Sequence, residues 1–187
     1  MPLTTLDPKT ALVVIDLQTG IAALPGVHPI ADIAKKAGAL AAVFRRHGLP
    51  VVLVNVTGGA PGRTEQQRRL GELPQGWADL LPELDQQPSD LTVTKKTWGA
   101  FPGTDLEAQL RQAGVTQIVL CGVATSIGVE STAREAYALG FNVSLALDAM
   151  TDLSAEAHAN SVERIFPRLG ETGVVADFIT LLDQRSV

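Results

Sequence analysis

At 187 residues and 19.7 kDa the chain is long enough to bury a full apolar core, and residues 1–187 read as a single domain. Hydrophobic residues reach 45% but aromatic residues only 4%, so that core must be built from Val, Leu, Ile and Ala. The net charge is −5, and basic residues come singly or in pairs (Lys35-Lys36, Arg45-Arg46, Arg68-Arg69), which excludes the basic stripe of a nucleic-acid or anionic-membrane binder.

No apolar run approaches the roughly 20 residues that span a bilayer. The N-terminal MPLTTLDPKT lacks the basic-then-apolar order of a signal peptide, and Cys121 has no partner for an intramolecular disulfide. The expected location is the cytoplasm.

In chain order, strands are predicted at 11–16, 50–56, 91–95, 117–121, 142–147 and 173–176. Most lack period-two alternation, as strands covered on both faces do. Helical patterns occupy 31–47, 104–113, 127–139, 154–165 and 176–184. Gly48, Gly114 and Gly140 stand where left-handed helix caps belong, and Asp105 and Ser154 near helix starts. Residues 57–90, with Gly58-Gly59 and Trp77, form an excursion with one expected helical turn around 64–70. Repeated β-α-β alternation predicts an α/β three-layer sandwich around a parallel sheet.

Ligands in such sheets gather at the carboxyl ends of strands where strand order reverses. Asp16 ends the apolar run ALVVI, where burial would raise its pKa and suit it to proton transfer; a strand-end carboxylate also serves as a cap or loop hydrogen bonder. Lys95 and Lys96 follow LTVT, and period two sends one toward the site and the other away. In GVATSIGVESTAREA (122–136), Thr125 or Ser126 can cap a helix whose free amides bind an anion, or the segment is a well-capped structural helix. Cys121 sits in QIVLC as a small hydrophobe. His28, His47 and His158 show no metal-ligand spacing, although His28 is close enough to the predicted site to touch a ligand. GGAPG (58–62) has neither the Walker nor the Rossmann pattern.

VVIDLQ (13–18), KKTWGAFPGTDL (95–106), CGVATSIGVESTAREAYALGF (121–141) and LDAMTD (147–152) occur in that order. Over nearly its full length the chain resembles the isochorismatase-like hydrolase superfamily. The resemblance implies a six-stranded Rossmann-like parallel sheet of order 3-2-1-4-5-6, and the family's catalytic Asp and Lys at Asp16 and Lys95. It further implies a cis peptide at Val123–Ala124, substrate contacts from Val123, Ala124, Ser126, Gln18, Trp98 and His28, and a homo-oligomer. Gly128 occupies the position of the nucleophilic Cys of the amidase members. NVTGGAP (55–61) lacks the Asp-x-His metal motif of nicotinamidases, and GVATSIG departs from the GVYAHIG of isochorismatases.

The expectation is therefore a Cys-less hydrolase of a small-molecule substrate, with Asp16 as general acid/base, Lys95 as its electrostatic partner and water as nucleophile. No metal or organic cofactor is implied. The competing expectations are an amide hydrolase with an atypical nucleophile, and a non-catalytic member that binds a small carboxylate.

Overall fold

A computed structural model describes residues 2–65 and 73–185 of the chain. Its strands are β1 (Thr10–Ile15), β2 (Val51–Val56), β3 (Leu91–Lys95), β4 (Gln117–Val123), β5 (Asn142–Thr151) and β6 (Glu171–Gly173). All pair in parallel, in the order β3-β2-β1-β4-β5-β6. Helices α2 (Ile30–Arg46) and α7 (Val175–Asp183) cover one face. Helices α3 (Leu106–Gln112), α4 (Glu130–Ala138) and α6 (Phe166–Leu169) cover the other. Two short helices, α1 (Thr19–Ala22) and α5 (Ala155–Asn160), follow β1 and β5. This is the expected three-layer sandwich.

Every residue of β1 is buried, and its side chains divide between two cores. Leu12 and Val14 join Phe44 and Phe178 under α2 and α7, whereas Ala11, Val13 and Ile15 join Leu106, Ala133 and Phe166 on the opposite face. A strand apolar on both faces shows no alternation in sequence.

Several boundaries differ from expectation. The apolar GVVA at 173–176 is mostly not strand: β6 ends at Gly173, and Val175 opens α7, burying Val175, Phe178 and Leu182 on one helical face. Strand β5 runs past 147 to Thr151, with a register shift against β4 between Leu120 and Gly122. The helix expected from 127 begins with a wide π-type turn over Thr125–Val129, and that expected over 154–165 contains a second wide turn, Ser161–Ile165, ahead of α6. Gly48, Gly114 and Gly140 do adopt positive φ after α2, α3 and α4. Ser154 caps α5 by accepting from the Ala157 amide, while the Asp105 side chain makes no cap bond. The turn expected over 64–70 falls mostly outside the described residues.

Strand order reverses at β1, which pairs with β2 on one side and β4 on the other. Ile15 lies opposite both Val54 and Gly122. Gly122 has φ 118°, and a β-carbon there would run into the Ile15 carbonyl oxygen, so only glycine fits. The crevice just beyond this pair is where the chain leaves β1 at Asp16.

Candidate active site

Asp16 leaves β1 in a left-handed conformation, φ 50°, with its amide still donating to Val54 O at 2.9 Å. Lys95, the last residue of β3, lies in register with Val56 and reaches across β2 to the same point. Its Nζ is 2.8 Å from Asp16 Oδ2 and donates also to Thr97 O at 3.1 Å. The two residues are 2% and 6% exposed. Burial pushes the Asp16 carboxyl up to about 6 from an ordinary 3.8, against the opposing pull of the Lys95 charge and hydrogen bond. Asp16 Oδ1 is buried without a hydrogen-bond partner among the described residues. Lys96 is exposed and lies over Gly58.

Above this pair is a cavity of ≈ 280 Å³ lined by Asp16, Lys95, Gly128, Val123, Ala124 and Trp98, together with Ile21, Leu24, Ile127 and Leu153. The Val123–Ala124 peptide is cis. Gly128 packs tightly: a β-carbon built on it would stand 2.8 Å from Ile15 Cγ2 and 3.3 Å from Asp16 Oδ2. The empty side-chain position therefore faces the carboxylate directly.

Three of the expected substrate contacts do not line this cavity. Gln18 is fully buried and fastens the chain: Nε2 donates to Val56 O and Trp77 O, and Oε1 accepts from Val56 N at 2.7 Å. The His28 amide donates to Thr151 Oγ1, its Nδ1 lies 3.0 Å from the same oxygen, and its ring meets His158 edge-on at 5.2 Å. The Ser126 amide donates to Asp152 Oδ2 at 2.6 Å, so that amide is not free for an anion. Neither Thr125 nor Ser126 caps the helix; Thr125 Oγ1 lies 2.9 Å from His158 Nδ1. Burial and His28 hold the His158 imidazole below its ordinary pKa, opposed by Asp152. Cys121 lies in the core under α2 and α7, and burial pushes its thiol up to about 12.

Sequence reasoning missed two supports. Asp152, 2% exposed, accepts from the amides of Ser126, Leu153 and Ser154, tying the end of β5 to the start of the helix that carries Gly128. Its only local signal is an acid just before a helix start; the bond to Ser126 is 26 residues away. Helix α4 in turn holds the segment after Lys95. Thr132 Oγ1 accepts from Ala100 N and donates to Gly128 O, and Glu135 Oε2 accepts from Phe101 N. The Glu135 carboxylate also fills the space where a side chain at Gly99 would go. Burial raises the Glu135 pKa, with the Phe101 amide and Lys95 opposing. Among the described residues, no three His, Cys, Asp or Glu side chains cluster as metal ligands.

The isochorismatase domain model matches residues 10–177. The chain is 46% identical over 178 residues to YwoC, an uncharacterized isochorismatase family protein of Bacillus subtilis (strain 168), covering 91% of this chain and 93% of that one. It superimposes with a TM-score of 0.91 on an isochorismatase family protein from Burkholderia thailandensis, at 42% identity and coverages of 96% and 98%. A more distant relative is the ureidoacrylate amidohydrolase RutB of Variovorax paradoxus (strain S110), 28% identical over 209 residues, 95% of this chain and 83% of the relative.

Proposed function

The chain belongs to the isochorismatase family, and from that premise we propose that it hydrolyses a small-molecule substrate with Asp16 as general acid/base, Lys95 as its electrostatic partner and water as nucleophile. The observation that carries this reading is the buried Asp16–Lys95 pair on the cavity floor. A carboxyl with a pKa of about 6 exchanges its proton readily near neutral pH. Oδ2, held by Lys95, is the oxygen that faces the Gly128 position, while the buried Oδ1 has no hydrogen-bond partner among the described residues. Asp16 gives a proton to the departing group and takes one from the attacking water, so it ends the cycle in its starting state. The ammonium of Lys95 balances the carboxylate whenever the proton is away. Gly128 places no side-chain nucleophile beside Asp16 Oδ2, and with Ile15 Cγ2 closing that position the attacking water comes from the cavity.

The competing reading, hydrolysis of a C–N bond through a protein nucleophile, is favoured by the similarity to ureidoacrylate amidohydrolases. Against it, no Cys, Ser or Thr side chain lining the cavity among the described residues offers a free nucleophile: Cys121 is fully buried and does not line it, and Thr97 Oγ1 donates to Gly99 O at 2.9 Å. The test is a hydrolysis screen over esters, vinyl ethers and amides, followed by the hit with Asp16→Asn and Lys95→Met. Each variant is expected to lose about 10²-fold or more in turnover. Retained turnover in folded Asp16→Asn sinks the mechanism. Ammonia release that survives Asp16→Asn but not loss of a hydroxyl or thiol moves the second reading ahead. Saturable binding of the screen's members with no turnover favours a binding protein.

A further inference from the structure

The charge inside the cavity is fixed by two side chains. Asp16 and Lys95 are the only ionisable groups lining it among the described residues, and they are paired at 2.8 Å. The second donor of Lys95 is engaged by the Thr97 carbonyl. Apart from Thr97, whose hydroxyl donates to Gly99 O, and the backbone of Gly58 and Gly59, the side chains of the wall are apolar, Ile21, Leu24, Val56, Ile127 and Leu153 among them, with the exposed Trp98 at the mouth. An anion entering this space gives up its hydration to hydrocarbon and finds a carboxylate beside the only cation. A neutral molecule meets neither penalty. Size narrows the choice further. An engineered apolar cavity of roughly 150 Å³ holds one benzene, so ≈ 280 Å³ holds a ring with a short substituent or a branched chain of similar bulk.

Resting on the reading of this cavity as the reaction site, we infer that its substrate is a small uncharged molecule with an aromatic or branched aliphatic body and one polar reacting group, and that a carboxylate enters only together with a proton. The proton has a defined destination. When Asp16 takes it up, the Lys95 ammonium loses its contacting counter-ion, with only the Glu135 carboxyl of α4, among the described residues, still in Coulombic reach, and an incoming carboxylate replaces the Asp16 charge. No bond to carbon forms or breaks. With the Asp16 carboxyl held near 6, this exchange falls within a workable pH range.

The test uses three inert probes of equal bulk, benzyl alcohol, benzoate and benzylamine, titrated into the full-length protein by calorimetry near pH 8 and near pH 5.5. At the higher pH benzyl alcohol is expected to bind about tenfold or more tightly than benzoate, because burying an unmatched charge is costly. Lowering the pH is expected to tighten benzoate well over tenfold, as the protonated fraction of Asp16 rises from about 1% to about 75%, and leave benzyl alcohol unchanged. Proton uptake, read from the dependence of the heat on buffer ionisation enthalpy, should accompany benzoate alone. In Asp16→Asn, benzoate should bind tightly at both pH values without proton uptake. Lys95→Met should remove benzoate binding and spare benzyl alcohol. Benzylamine, with no unmatched carboxylate to receive it, should bind more weakly than benzyl alcohol at both pH values. Benzoate or benzylamine outcompeting benzyl alcohol near pH 8, or no saturable binding of benzyl alcohol, overturns the inference. Because the probes are not hydrolysed, these outcomes are independent of the proposed mechanism, whose failure would show instead as turnover surviving Asp16→Asn.

Discussion

Ile15 Cγ2 fills the space beside Gly128, where a β-carbon would come within 2.8 Å of it. The last residue of β1 and the wide turn ahead of α4 are therefore fitted to each other, and the missing side chain at 128 is matched by a branched one opposite. Gly128→Ala is expected to destabilise the fold by about 1–3 kcal/mol through overpacking. Ile15→Ala alone should cost about 2–5 kcal/mol. Urea unfolding of both single variants and the double should show a favourable coupling of about 1 kcal/mol or more. Strict additivity would mean that the contact has no energetic weight.

The Asp16 carboxyl links stability to pH. Its pKa rises from an ordinary 3.8 to about 6 on folding, so the native state holds the proton more tightly than the unfolded chain. Between those values folding takes up a proton, and this contribution falls as pH rises through the window. The full effect is on the order of 3 kcal/mol. Wild type and Asp16→Asn should thus diverge in the pH dependence of unfolding from about pH 4 to 6, the variant lacking that slope. The kcat/KM profile of a hydrolysed substrate should carry a titration near 6 that the variant lacks. A fall below it identifies the base role as limiting, and a fall above it the acid role.

The Cys121 thiol is fully buried and neutral at ordinary pH, with its pKa pushed up to about 12. Iodoacetamide should label it slowly in the native state and rapidly in urea. Cys121→Ala is expected to fold and to keep whatever turnover the wild type shows. Loss of turnover with the fold intact would restore a thiol mechanism.

Two buried polar side chains should matter more for stability than for chemistry. Gln18→Ala leaves Val56 N without its acceptor and takes one of two donors from each of Val56 O and Trp77 O, which keep Trp77 Nε1 and Gly20 N, and Asp152→Ala leaves three amides at the start of two helices unmatched. Each is expected to cost on the order of 2–3 kcal/mol, read as a lower midpoint in thermal or urea unfolding. Gln18→Ala should leave KM for a hydrolysed substrate nearly unchanged, because Gln18 does not line the cavity.

The architecture was legible because strand runs and glycine caps are local signals, and the reversal at β1 follows from the order of elements. Strand limits were less so. GVVA reads equally as a strand or as the buried face of α7, since four residues cannot separate the two periods. Asp16, Lys95 and Gly128 come together as the motif order implied, through strand register that places Lys95 beside Val56 and Gly122 beside Ile15. Gln18, Ser126 and His28 each lie within a few residues of true cavity-lining positions, but proximity in sequence does not set side-chain direction. Gln18 turns back into β2, and Asp152, distant in sequence, takes the Ser126 amide.

The anchoring of residues 99–101 by Thr132 and Glu135, directly after the cavity-lining Thr97 and Trp98, makes that side of the cavity conservative and leaves the side after β2 permissive. A change at Gly99, Thr132 or Glu135 must be answered by another on the facing element, so variation there has to arrive in pairs. Across the cavity, a β-carbon at Gly59 would meet nothing within 4 Å, and single substitutions find open space. Divergence toward new substrates, by descent or by directed evolution, is therefore most accessible through the connection after β2. Libraries confined to residues 57–62 should yield altered selectivity with fewer unfolded members than libraries of equal size at 97–101.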